Sequence, residues 1–214
     1  MKFSIKLLQS DSQIRQEILN SLKDHMDEAF NRAMPNIQRQ IKPLIESALK
    51  EEPEYNSLIA GQLRLEFGIP DTSKVDSVIS KLADTVSITK NAIRIGPRGL
   101  SGGFTIYALK ADDMGGVIAD ESAMVIDDTN GYSLPWLEWL LLKGNKVIVQ
   151  QHEVRVGANA NSRTGMAIMV KSNKGWRVPP EFVGTMRNNW TTRAVERLEN
   201  EIRQLIKKEI EANV

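Results

Sequence analysis

From Ile14 to Ala48 apolar residues return every three or four positions: Ile14, Ile18, Leu22, Met26, Ala29 and Phe30, Ala33, Ile37, Ile41, Leu44 and Ile45, Ala48. Only a helix brings residues at that spacing to one side, so the N-terminal stretch is committed to helix before the rest of the chain is considered. Pro35 and Pro43 fall inside it. An interior proline costs about 3 kcal/mol and usually kinks or ends a helix. The stripe keeps its phase across both prolines, which leaves a kinked helix or two helices sharing one face. The opposite face carries charges of both signs, the pattern of a solvated surface. The apolar face is then either internal core or a dock for a neighbouring subunit.

Further helices follow. Glu52-Pro53 opens one whose face is Leu58, Ile59, Leu63 and Phe67; Gly68-Ile69-Pro70 stops it, with glycine as a left-handed cap. Asp71 or Thr72 caps another that bears Val75, Val78, Ile79 and Leu82. After Val86 the pattern becomes extended. Ser87–Ile95 and Phe104–Leu109 read as strands around a flexible loop, Gly96–Gly103, with Arg98 near its tip. A phosphate-cradling glycine loop opens a helix, whereas this one runs into Phe104-Thr105-Ile106-Tyr107. Val147–Val156 and Thr164–Lys171 alternate as strands around the polar turn Gly157–Ser162. Asn188 or Asn189 caps a final helix with Ala194, Val195, Leu198, Ile202, Leu205, Ile206 and Ile210 on one face. At the N-terminus Phe3, Ile5 and Leu7 alternate as a short strand or arm, an apolar run too short for a signal peptide.

All four tryptophans, Trp136, Trp139, Trp176 and Trp190, lie between Leu134 and Ala194. With aromatics at only 6% of the chain, this clustering marks where dense packing belongs. Leu134–Leu142 reads as a short helix, apolar nearly all round and therefore buried. Trp136, Trp139, Trp176, Phe182 and Trp190 are the expected core. The fold class expected is α+β: a small antiparallel sheet flanked by a long N-terminal helical region and a C-terminal helix. The organisation expected is a helical region over 1–86 and a sheet with the tryptophan-rich helix and C-terminal helix over 87–214, together one compact unit.

The chemistry on offer is sparse. Net charge is +1, without the basic excess of a general nucleic-acid binder. Cysteine is absent, which removes disulfides, thiolate metal sites and cysteine nucleophiles. His25 and His152 are far apart, and no nucleophile elbow, Walker or dinucleotide fingerprint occurs. No stretch approaches the 18 apolar residues of a membrane-spanning helix. Three carboxylate pairs stand in 112–128: Asp112/Asp113, Asp120/Glu121 and Asp127/Asp128. They match no calcium-loop spacing and read as solvated turn and strand-edge residues. A metal-dependent hydrolase or nuclease built on them is the alternative to a non-catalytic role.

Three segments sharpen the functional reading: Leu134-Pro135-Trp136-Leu137-Glu138-Trp139-Leu140-Leu141, then Ser162-Arg163-Thr164-Gly165-Met166-Ala167-Ile168-Met169, then Trp176–Thr185 followed by Asn189-Trp190-Thr191-Thr192-Arg193-Ala194. In this order they resemble the neck and tail-completion proteins of tailed bacteriophages, the broad group that includes the minor tail protein Z type. The likeness is strongest over about residues 131–197, and Leu58–Pro70 is compatible with it. The resemblance implies a virion structural protein, not an enzyme, that needs no cofactor and joins head to tail as a homo-oligomeric ring. Its partners would be connector or adaptor proteins and tail terminator or tail tube proteins, with DNA only as cargo passing the channel and no membrane. It would be assembled in the host cytoplasm and reside in the virion neck. The residues expected at interfaces are Arg98 and Leu100 in one loop and Asn159, Asn161 and Arg163 in the other.

Overall fold

Helix α1 runs unbroken from Asp11 to Glu51 in the computed structural model, which describes residues 9–108, 111–127 and 131–214, the side chains of Ala111 and Asp112 excepted. The two prolines do not divide it. Pro35 and Pro43 lie on its exposed side, and so do Asn31 and Arg39, the residues whose carbonyls lose an N–H partner to the proline rings. The freed acceptors therefore face solvent rather than core, where the loss would be far more costly. The strand or arm expected from Phe3, Ile5 and Leu7 lies outside the described residues, as do Leu109 and Asp128.

The described residues pack as two compact units. One takes α1 as far as Gln40, the segment Ser87–Tyr107 and the segment Glu201–Val214; the other takes Ile41–Val86 and Ala108–Asn200. The chain does change unit between Val86 and Ser87, where the sequence turns from helical to extended. Each of the two expected regions nonetheless supplies residues to both units.

In the first unit β1 (Ser87–Gly96) and β2 (Gly99–Tyr107) form an antiparallel hairpin. The flexible loop expected over Gly96–Gly103 is replaced by a turn of two residues, Pro97 and Arg98; the glycines beyond it are strand. Their role is steric. The pairing steps from Asn91↔Gly103 to Arg94↔Ser101, so Ala92 and Ile93 bulge opposite Gly102. A Cβ on Gly102 would stand 2.9 Å from Ile93 Cγ1. Phe30 stacks on Phe104 with ring centroids 5.0 Å apart, and Lys90 reaches Asp27 and Asn31. Gln40 donates to Glu209 at 2.8 Å, and Arg32 to the Asn213 carbonyl at 2.7 Å. Ala29, Phe30, Ala33 and Ile37 of the α1 stripe are buried here with Ile88, Ile93 and Ile202.

In the second unit the helix opened by Pro53 parts at Gly61 into α2 (Pro53–Ala60) and α3 (Gln62–Phe67), where Ser57 Oγ accepts the Leu63 N–H. Gly68 is the left-handed cap the sequence indicates, with φ 67°. A Cβ there would also meet the Arg163 guanidinium at 3.0 Å. Gly68→Ala is expected to cost about 1–2 kcal/mol from backbone strain alone, read as a lower urea midpoint with unchanged slope. Helix α4 (Ser73–Asp84) buries Val75, Val78, Ile79 and Leu82. Its first turn is held by Asp71, which accepts the Ser73 N–H at 2.9 Å.

Helix α5 (Ala111–Ile118) follows, a helix where the sequence gives only an apolar run among carboxylates. Then come β3 (Val125–Asp127), β4 (Tyr132–Leu134) and α6 (Trp136–Leu141). The long strand expected over Val147–Val156 is cut at Gln150-Gln151, where Gln151 has φ 53°. That left-handed residue separates β5 (Val147–Val149) from β6 (His152–Val156). β5 pairs with β8 (Trp176–Arg177) and β6 with β7 (Ala167–Lys171). The expected α+β class is the observed one, and among the described residues its strand component is four separate antiparallel pairs.

Three tryptophans tie this unit together through their indole N–H groups. Trp136 donates to the Ser122 carbonyl, Trp176 to Glu66 and Trp190 to the Leu49 carbonyl. All three are buried, whereas Trp139 and Phe182 are only half-buried and stand at the edge of the core expected of them. Of the two candidate caps Asn188 and Asn189, Asn189 caps α7 (Trp190–Arg197), in a reciprocal box with Thr192. The expected single C-terminal helix is interrupted at Leu198, beyond which α8 (Glu199–Glu211) continues.

Candidate functional site

The residues expected at interfaces fall into two places. Arg98 is exposed in the β1–β2 turn, and Leu100 is half-buried on β2 opposite Ile95. Asn159, Asn161 and Arg163 share the connection between β6 and β7, in the other unit. That connection is tight, not loose: the Asn159 N–H donates to the Gly165 carbonyl, and Asn159 Oδ1 accepts the Asn161 N–H at 2.9 Å. Arg163 turns back against Gly68 and pairs with Asp127 at 3.6 Å. Together with Glu66, Asn161 and Ser162 it lines a polar cleft of about 340 Å³. Arg163 and Asp127 offset one another, whereas Glu66, which accepts the Trp176 indole N–H, keeps its negative charge in the cleft.

The carboxylates of 112–128 part company. Asp120 pairs with Lys81 at 2.6 Å and accepts the Ser122 N–H at the start of the turn Glu121–Ala123. The Lys81 ammonium first, and then Ser122, hold its carboxyl well below the usual carboxylate range. Glu121 approaches Lys74 at 3.8 Å, and Asp127 pairs with Arg163. Asp113 is exposed; the Asp112 side chain and Asp128 lie outside the described residues. Among the described residues, no group of three or more His, Asp and Glu is placed to hold a metal ion. No described helix is long and apolar enough to cross a membrane.

An apolar groove of about 570 Å³ escapes the sequence reading. Met114 and Ile118 of α5 form one wall, Leu142 and Met186 continue it, and Val195 and Glu196 of α7 close it. Met186 is 80% exposed and Leu142 37%. The only signal in the sequence is the i, i+3, i+4 spacing of Met114, Val117 and Ile118, which Gly115-Gly116 obscures. Val117 turns into the core, which leaves Met114 and Ile118 to the groove.

In the first unit the early turns of α1 carry a second uncovered apolar surface. The stripe is buried from Ala29 onward, but Ile18 is 60% exposed and Leu22 45%. Asp11, Ile14, Arg15 and Leu19 share this face with Ile18 around a shallow depression. Comparison with protein-family models, with curated proteins and with solved structures finds no match to this chain.

Proposed function

We propose that this chain is a structural subunit of the neck of a tailed bacteriophage, a tail-completion or connector protein that assembles as a ring at the head–tail junction and has no catalytic role. The observation that carries the assembly part is the α1 stripe. One continuous apolar face serves as core from Ala29 onward and is left open over Ile18 and Leu22. Large aliphatic side chains aligned on one exposed helix face suit a surface that a second protein covers. The placement in a phage neck rests on the resemblance of Leu134–Leu141, Ser162–Met169 and Trp176–Ala194. A net charge of +1 is compatible with a channel through which DNA slides, since strong phosphate binding would retain it.

Metal-dependent hydrolysis draws no comparable support, because Asp120, Glu121 and Asp127 go to Lys81, Lys74 and Arg163 respectively.

Electron microscopy of particles carrying this protein with a C-terminal label tests the proposal. Label encircling the head–tail junction, on a gene that lies among portal and tail genes, is the expected result. Particles without label at any position overturn it.

A further inference from the structure

We infer that the open face of α1 docks into the apolar groove of a neighbouring copy of this chain, so that each subunit offers its helix to one neighbour and its groove to the other. Both surfaces are apolar, and both are open among the described residues. Ile14, Ile18 and Leu22 are spaced i, i+4, i+8, which makes a ridge of about 12 Å on a helix. A ridge of that kind fits a groove as helix-in-groove recognition requires. Met114 and Met186 line that groove, and methionine side chains reshape around an incoming aliphatic ridge better than branched ones.

Charge supports the same pairing. Arg15 flanks the ridge and Glu196 lines the groove. Arg15 and Glu196 have no salt-bridge partner among the described residues, and Asp11 shares the ridge face with Arg15. A cation beside the ridge and an anion in the groove are what a contact between two copies would pair, and such rim charges fix register more than affinity.

The contact joins two different surfaces, helix to groove and never helix to helix, and in the proposed assembly each subunit makes it with two different neighbours. A heterologous contact repeats around a ring or along a filament, whereas a self-matching one stops at a dimer. The contact gains from closure of the ring, where every subunit is held twice. This inference deepens the assembly reading above and rests on it, but does not depend on the phage assignment.

The test uses the full chain and two exposed substitutions, Ile18→Asp on the helix and Met186→Asp in the groove. Circular dichroism melts that match the parent show that both fold. Light scattering is expected to show the parent assembling with concentration, and each variant alone staying at the 24.0 kDa of one chain. An equimolar mixture should yield two-chain species and nothing larger, because one intact helix meets one intact groove. Arg15→Glu and Glu196→Arg should each weaken assembly by roughly tenfold, and the two combined in one chain should recover it. A parent that stays monomeric, variants that assemble like the parent, a mixture that stays monomeric, or a variant that dimerises with itself each overturn the inference. Rings that survive both variants overturn it while leaving the neck reading intact. Complementation in the mixture with label absent from phage particles does the reverse.

Discussion

Arg193→Ala is expected to lower the stability of the second unit by about 2–3 kcal/mol, and the loss should depend on pH. Glu54 is wholly buried in the first turn of α2, and Arg193 donates to one of its oxygens. The other oxygen, Oε2, has no hydrogen-bond partner among the described residues. Around this pair, Arg193 also approaches Glu52 at 3.7 Å, and Arg197 bridges Glu52, Glu51 and the Ala48 carbonyl. The network clamps α7 onto the junction of α1 and α2. Removing one partner of a buried pair costs about 3–5 kcal/mol, because a charge is left behind in the core. The lower figure applies here because Arg193 itself is 36% exposed and partly screened.

The sign of the pH dependence follows from Glu54. Burial pushes its carboxyl above the ordinary 4.5, against the pull of Arg193. The folded protein then holds the proton more tightly than the unfolded chain, so stability falls as pH rises from that ordinary value through the raised one. Without Arg193 the push is unopposed and the window widens upward. The deficit of the variant should therefore shrink as pH is lowered toward 4.5. Glu54→Gln removes the buried charge and keeps an acceptor for Arg193, so it should be mild by itself and should relieve much of the Arg193→Ala loss. Urea unfolding followed by tryptophan fluorescence reads this directly, since all four tryptophans lie in this unit. A loss no larger than about 0.5 kcal/mol, the range of ordinary surface changes, would mean that the clamp carries no weight.

Trp190→Ala should be the most damaging single change, at about 3–5 kcal/mol. Trp190 is 1% exposed and is the first residue of α7. Its indole donates to the Leu49 carbonyl at 2.9 Å. Leu49 is near the C-terminal end of α1, where the last carbonyls have no partner within the helix. Truncation opens a cavity and strands that acceptor at the same time. Trp190→Phe separates the two effects: it keeps much of the apolar bulk but leaves the carbonyl unpaired, for a loss of about 1–3 kcal/mol. Equal losses for the two variants would assign the whole effect to the hydrogen bond and none to packing.

What was legible in the chain was what repeats. The α1 stripe, the left-handed cap at Gly68 and the Asn189 cap follow from spacing and backbone chemistry that a few consecutive residues express. The tryptophan positions marked the core of the second unit, although Trp139 and Phe182 stop short of burial. The misses share a cause. The glycines at 99–103 look like slack, but Gly102 is small because Ile93 stands opposite it, a fact of pairing and not of neighbours in sequence. The cut at Gln151 is invisible because a single left-handed glutamine has no strong local preference for it. Most of the groove residues, from α5, Leu142, Met186 and α7, come together only through the fold, so no window of sequence contains it.

The order in which the chain is made adds one consequence. The first unit needs residues up to Gln40, the hairpin Ser87–Tyr107 and the segment from Glu201 onward. At the usual rate of translation, the early helix waits roughly 8–30 s for the last of these to emerge. Until the hairpin emerges, the stripe from Ala29 to Ile37 is uncovered beside other nascent chains, and the part of the unit that the C-terminal segment completes stays open longer. Premature helix pairing on the ribosome is thus the hazard this topology carries, and chaperone capture of the first forty residues is the remedy it invites.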